Sequence, residues 1–337
     1  MVATLSTLWS RLSDYSLYFY AGDTHTNSQS SKLPPKEQAY YFTAIAIILA
    51  ILAKLQEPSG IKPTFLPIDK EKREYEVFVL KYSILWMLAF GSVVAFQIYE
   101  AFDATAYNLF CGALALPLVL RPFFHASPSK LIKRRSKPIA ARHSTRAQLW
   151  ILIFSFIGNY WYTHYFYSVL RARYTMPAWR LNGVPICMYF ATHFYFCSYH
   201  VLSNLILRRI HSSCAPGARR MFFVAATVCA MAYTTAFMET LTISHFPYYD
   251  FEDRDMAYTV GSAFYGLYFV VSFPAYFSLD ERTMAALDGP GSGLLGVSFS
   301  SLGCGMLVLL LLDFVRLLFV GRSLSIGGDF FVYTPAL

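Results

Sequence analysis

The chain has few charged residues for its length of 337. Asp, Glu, Lys and Arg make up 14% of it, and hydrophobic residues make up 56%. Soluble domains carry roughly 25% charged residues, so this chain cannot cover the surface of a water-soluble globule of its size. The composition therefore excludes an ordinary soluble domain and favours a protein that lies largely within a membrane.

Cysteines are also few, and none of the six forms a CxxC pair. No histidine accompanies them at the spacing of metal ligands, and most lie within apolar segments. We interpret them as small core residues, and we predict neither a disulfide framework nor a metal site.

Several common catalytic and binding motifs are absent from the sequence. It contains no HExxH, no GxSxG, no glycine-rich phosphate loop, no dinucleotide fingerprint and no repeated histidine boxes. The net charge of +8 comes from Lys and Arg that lie mostly in loops, without a nucleic-acid-binding motif. These absences disfavour redox and hydrolytic chemistry, and they predict no cofactor, no nucleic-acid partner and no obligatory protein partner.

What the sequence has instead is a series of long apolar runs. They predict an all-α fold, a polytopic membrane bundle of about eight transmembrane helices with no β-sheet of consequence. The runs cover residues 40–53, 77–98, 105–120, 149–170, 184–207, 221–243, 256–277 and 294–320. We expect residues 37–322 to form one transmembrane domain, between a flexible polar tail at 1–36 and a C-terminal tail at 323–337.

Lys and Arg concentrate in alternate loops between these runs. Eighteen of them lie in the loops at 54–76, 121–148, 208–220 and 280–293, against four in the three intervening loops. Because positively charged loops remain in the cytosol, this pattern predicts that the first set is cytosolic and that both termini lie on the opposite side.

Aromatic residues are concentrated between residues 158 and 204. The first 43 residues of this stretch contain 14 Tyr, Phe and Trp, and the stretch includes His164, His193 and His200. Imidazoles are costly in lipid and usually have a functional reason for being there. The alternative interpretation is that the rings form interface belts and the histidines only pack.

Glu239 is the carboxyl that lies well inside a predicted span, with threonines on its helix face. Counting about 1.5 Å per residue places Glu239, His193 and His164 at roughly 6–14 Å below one membrane face. We predict that these three residues are catalytic. The alternative for Glu239 is a structural role, in which its carboxyl forms a hydrogen bond with Thr or His and stabilises helix packing. We also predict a substrate-binding surface that comprises Tyr160, Trp161, Tyr167, Tyr189, Phe196, His200 and Thr235. All of these except Trp161 share a helix face with one of the three candidates by helical spacing.

Long segments of the chain carry a family resemblance. GNYWYTHYFYSVL is followed by YTMPAWRLNGVPICMYFATHFYFCSYHVLSN, and later by METLTISHFPYYDFEDRD, GLYFVVSFPAYFSLDE and LLDFVRLLFVGRSLSIGG. Together these segments resemble the cycloeucalenol cycloisomerases, membrane enzymes of sterol synthesis in plants and algae. The resemblance covers most of residues 75–328, but neither the first 35 or so residues nor the Gly/Ser/Ala-rich piece at 282–305.

The resemblance implies that the substrate is cycloeucalenol, a sterol with a 9β,19-cyclopropane ring, and that the product is obtusifoliol. A proton reaches C19, the C9–C19 bond breaks, and loss of the C8 proton gives the alkene. It also implies a multi-pass protein of the endoplasmic reticulum membrane whose partners are the sterol and membrane lipid. A carboxyl shielded from water suits the acid step because desolvation disfavours its charged form.

Two other functions fit the same residues. In a sterol or lipid carrier, the aromatic rings would only line a lipid pocket. A Δ8–Δ7 sterol isomerase would use the same proton chemistry on a different sterol. Composition and spacing leave the carrier nearly level with the enzyme, and the resemblance favours the cyclopropane-opening enzyme.

Overall fold

A computed structural model describes residues 33–124, 138–161, 172–279 and 293–320, and eight long helices make up most of this part of the chain. Residues 1–32 and 321–337, most of the two predicted tails, lie outside it. The helices are α1 (Glu37–Lys54), α2 (Lys70–Ala95), α3 (Ala104–Leu120), α4 (His143–Tyr160), α5 (Ile186–Ser213), α6 (Ala218–His245), α7 (Arg254–Phe277) and α8 (Leu294–Val320).

Each helix falls on one of the eight predicted runs, and five are long and apolar enough to cross a membrane. These five are α1, α2, α6, α7 and α8, whereas α3 is apolar but only 17 residues long. The mostly helical fold and the membrane-protein character are therefore confirmed. Length and composition of the described residues support five spans.

The composition of the central helix α5 explains part of the difference between the eight predicted spans and these five. It packs against α2, α3, α4, α6 and α7, and it buries polar residues that include Ser198 and His200. Ser198 bonds to Ser83 at 2.7 Å and to Trp86 at 2.9 Å, and His200 Nε2 bonds to Ser272 at 2.9 Å. Neighbouring helices satisfy these groups, so a helix surrounded by protein can carry side chains that would be costly against lipid.

Three aspartates fix the starts of helices. The carboxylates of Asp69, Asp103 and Asp253 accept hydrogen bonds from the backbone N–H groups at the start of α2, α3 and α7. The acceptors satisfy N–H groups that have no partner within the helix, and their negative charge suits the positive end of the helix dipole.

The described parts of three Lys- and Arg-rich loops meet at one end of the bundle, which we call the basic end. Pro58 pairs with Cys214 in a β-bridge, so the α1–α2 and α5–α6 connections meet there. The Glu71 carboxylate accepts a bond from the backbone N–H of His143, which joins the start of α2 to the start of α4. This arrangement matches the alternation of charged loops along the sequence.

The opposite end carries two short strand pairs, and we call it the strand end. Strand β1 (Ala172–Tyr174) pairs antiparallel with β4 (Tyr249–Phe251), and β2 (Arg180–Leu181) pairs with β3 (Val184–Pro185). The β2–β3 turn has positive φ at Asn182 (49°) and Gly183 (74°), as a tight hairpin requires. The fold is mostly helical as predicted, and these four short strands are the part that the prediction did not include. The Asn-Gly turn is a local hairpin signal, whereas β1–β4 joins segments 75 residues apart.

Helices α6 and α7 approach each other closely through Gly266. A Cβ added to this glycine would lie 3.5 Å from the backbone of Ala232. Near its start, α7 contains a π-helical turn at Ala257–Gly261. The Gln38 side chain of α1 donates a hydrogen bond to the Tyr258 carbonyl in that turn at 3.0 Å. The close packing of α6 on α7 brings Glu239 against the tyrosines of α7.

Candidate functional site

A cavity lies at the strand end, between α4, α5, α6, α7 and the β1–β4 pair. The space inside it that admits the centre of a water-sized sphere is about 30 Å³, and it is partly open to the outside. Its polar lining consists of Asn159, Tyr174, Thr192, Glu239, Tyr249, Tyr265 and Tyr268. Gly158, Met188, Phe196 and Ile243 form its apolar lining. The lining combines apolar walls with a few polar groups, as small-molecule sites do.

Glu239 contributes the carboxyl of this cavity, and its two oxygens differ. Oε1 accepts a hydrogen bond from the hydroxyl of Tyr265 at 2.9 Å. Oε2 is buried and has no hydrogen-bond partner in the described part of the chain. No other Asp, Glu, Lys, Arg or His among the described residues lines the cavity. Among the described residues, the site therefore offers one carboxyl with one unengaged oxygen.

Four tyrosines line the cavity together with this carboxyl. The rings of Tyr265 and Tyr268 on α7 lie 5.4 Å apart, and those of Tyr174 and Tyr249 on the strand pair lie 5.2 Å apart. Burial raises the pKa of Tyr249 well above its ordinary value, which already lies above physiological pH, and so disfavours the charged form of this hydroxyl further. The faces of aromatic rings attract cations. The lining is thus suited to a positively charged intermediate, and its described residues include no thiol that could trap it.

Asn159 and Thr192 connect α4 to α5 at the cavity wall. The Thr192 hydroxyl donates to Asn159 Oδ1 at 3.1 Å, while Asn159 Nδ2 donates to the carbonyl of Ser155 at 2.8 Å. Beside them, Gly158 allows the Tyr268 ring to approach α4. These contacts join the α4 and α5 parts of the cavity wall.

Of the predicted histidines, the two that the structure describes do not line the cavity. His193 is 2% exposed, and its Nε2 lies 2.8 Å from the side-chain oxygen of Gln148. His200 is fully buried, where Nδ1 bonds to the Phe196 carbonyl and Nε2 to Ser272. His164 lies outside the described residues. Of the three predicted catalytic residues, Glu239 therefore lines the cavity, whereas His193 contacts Gln148 outside the lining.

Of the predicted substrate-binding residues, Phe196 lines the cavity. Tyr189 is not part of the lining, and its hydroxyl donates to the carbonyl of Leu181 at 3.0 Å. The rings of Tyr160 and Trp161 pack together 5.3 Å apart at the end of α4. Thr235 lies one turn before Glu239 on α6 and is not part of the lining. Tyr167 is outside the described residues.

Sequence reasoning did not identify Tyr174, Tyr249, Tyr265 or Tyr268 as site residues. Tyr265 and Tyr268 stand three apart on one helix face, a spacing that any packed helix shows. Tyr174 and Tyr249 lie in segments that the hydropathy pattern treats as loops. The Asn182–Gly183 turn signalled β-structure in one of these segments, but no local signal pairs β1 with β4.

One comparison with known proteins gives a relative. The chain is 40% identical over 256 residues to a protein of Arabidopsis thaliana described as cycloeucalenol cycloisomerase. The match covers 75% of this chain and 88% of the relative. No protein-family model matches the chain, and no solved structure matches it.

Proposed function

The chain belongs to the cycloeucalenol cycloisomerase family of isomerases, and on that basis we propose that it opens the cyclopropane ring of cycloeucalenol to give obtusifoliol. The observation that carries the proposal is the Glu239 carboxyl, which lies with one unengaged oxygen in a cavity lined by four tyrosines. A cyclopropane C–C bond is a poor base. Its protonation therefore needs an acid that is shielded from water.

In the proposed first step, Glu239 donates its proton to C19. The electron pair of the C9–C19 bond forms the new C–H bond, and positive charge develops at C9. Each tyrosine face turned towards this charge can contribute about 0.5–2 kcal/mol by cation–π attraction.

In the second step, the electron pair of the C8–H bond forms the C8–C9 double bond. The arriving and departing protons both lie on the β face of the sterol, so the Glu239 carboxylate is placed to accept the C8 proton as well. His193 and His164 were predicted as its acid–base partners. Since His193 bonds to Gln148 and His164 lies outside the described residues, the proposal rests on Glu239.

The proposed reaction is redox-neutral and needs no cofactor. We expect purified protein to convert cycloeucalenol without added metal, nucleotide or flavin, and to incorporate solvent deuterium into the C19 methyl group in deuterated water. Loss of activity on chelation that one particular metal restores would contradict the proposal, and so would a product without deuterium.

The sterol profile of cells that lack the protein separates this reaction from its two alternatives. Accumulated cyclopropyl sterols would support the proposed activity. Accumulated Δ8 sterols would favour the Δ8–Δ7 isomerase, and an unchanged profile would favour a sterol or lipid carrier.

We further propose that all eight helices cross the endoplasmic reticulum membrane, with the basic end in the cytosol. The proposal is supported by the Lys- and Arg-rich loops at one end and by the polar residues of α5, which pack against protein. Labelling of single cysteines introduced into each loop, from either side of the membrane, tests the topology. A tagged active copy located mainly in the plastid would contradict the proposed location.

A further inference from the structure

The carboxyl oxygens of Glu239 are held in different surroundings by α7. Tyr265 donates its hydroxyl hydrogen to Oε1 at 2.9 Å, and Oε2 has no partner among the described residues. In a neutral carboxyl, one oxygen is a carbonyl acceptor and the other carries the proton. A donor fixed at Oε1 favours the carbonyl form there, so the proton resides on Oε2.

Packing keeps the Tyr265 hydroxyl at this position. Tyr265 is 6% exposed, and its ring lies 5.4 Å from the ring of Tyr268 and 5.4 Å from that of Phe269, measured between centroids. The next residue, Gly266, lets α7 approach the backbone of α6. Because the ring is held between its neighbours, the hydroxyl cannot turn away from Glu239 without moving them.

We propose that Tyr265 is a positioning residue that keeps the transferable proton of Glu239 on Oε2. The inference rests on the proposed function, in which Glu239 is the acid. Once Glu239 has given up its proton, the same hydrogen bond becomes charge-assisted and stabilises the carboxylate. Tyr265 therefore assists proton transfer without touching the reacting carbon.

Infrared spectroscopy of the purified full-length protein tests the hydrogen bond directly. The carbonyl band of protonated Glu239 is identified as the band that disappears in Glu239→Gln. A hydrogen bond to a carbonyl oxygen weakens the C=O bond, so Tyr265→Phe should move this band to higher frequency. If the band does not move, or if Glu239→Gln removes no band, the proposal is wrong.

Tyr258→Phe is the matched control. Tyr258 lies seven residues before Tyr265 on the same helix, is fully buried, and shares a hydrogen bond with Ser244. Its replacement removes a buried tyrosine hydroxyl from α7 without touching Glu239. The Glu239 band should stay in place in this variant. A shift equal to that of Tyr265→Phe would show a general effect of helix packing and would overturn the proposal.

Turnover gives the second readout. Tyr265→Phe should lower kcat by about ten- to a hundredfold, the range expected for loss of one charge-assisted hydrogen bond, and should change KM by less than about twofold. A raised KM with unchanged kcat would overturn the positioning role. A wild-type protein that does not convert cycloeucalenol would instead overturn the proposed function, whatever the infrared result.

Discussion

Glu76 of α2 and Arg208 of α5 form an ion pair inside the helix bundle. The two guanidinium nitrogens lie 2.9 and 2.8 Å from the two carboxylate oxygens, and the side chains are 1% and 9% exposed. The same guanidinium donates to the carbonyl of Phe65. The sequence interpretation assigned both residues to loops, whereas the fold uses them to join the basic ends of two helices.

Removing one partner of this pair should destabilise the protein strongly. Glu76→Gln leaves Arg208 buried without a countercharge, a change that typically costs about 3–5 kcal/mol. Thermal unfolding in detergent measures the effect. Glu57→Gln is the control, since its pair with Arg219 is 71% and 68% exposed and should contribute little. Equal losses in the two variants would contradict the prediction.

Glu239→Gln should abolish most of the isomerase activity without unfolding the protein. Glutamine keeps the shape and can accept from Tyr265, but it has no transferable proton. General acid catalysis contributes about 10²–10⁴-fold, so turnover should fall by at least about a hundredfold. Glu239→Asp should retain part of the activity. A folded, membrane-inserted Glu239→Gln variant with nearly full turnover would place the acid elsewhere.

His193→Gln should affect turnover far less than Glu239→Gln. Its ring bonds to Gln148 and does not line the cavity, so we expect a loss of less than about tenfold, below the range of a general acid or base. Turnover and thermal unfolding are to be measured on the same preparation. A hundredfold loss in a protein of unchanged stability would restore His193 as the partner of Glu239 predicted from the sequence.

Gly158→Ala should impair sterol binding through Tyr268. A Cβ at position 158 would lie 3.3 Å from Cε1 of the Tyr268 ring, so this wall of the cavity must shift by a few tenths of an ångström. We expect KM for the sterol to rise severalfold.

Gly112→Ala is the matched control for this change. It is also a helical glycine, but the nearest atoms, those of Phe190, are 3.9 Å from an added Cβ. This variant should keep its KM and gain up to about 1 kcal/mol of stability from helix propensity. A similar KM in both variants would contradict the role of Gly158.

Hydropathy and charge determined the coarse architecture. The eight apolar runs give the positions of the eight helices, and the alternation of Lys and Arg places the basic loops at one end. These features depend on local composition and on the length of each run, which a single segment carries by itself. The same is true of Glu239, whose unusual position within an apolar run identifies it without knowledge of its neighbours.

The partners of Glu239 depend on which helix faces meet, and only the tertiary structure decided that. Tyr265 contacts the carboxyl because α7 packs on α6 through Gly266, while His193 turns to Gln148 although it lies at a similar predicted depth. Tyr174 and Tyr249 meet through backbone pairing between segments 75 residues apart. Helical spacing gives the face on which a side chain lies, but the contacts of that face are set by the packing of the whole bundle.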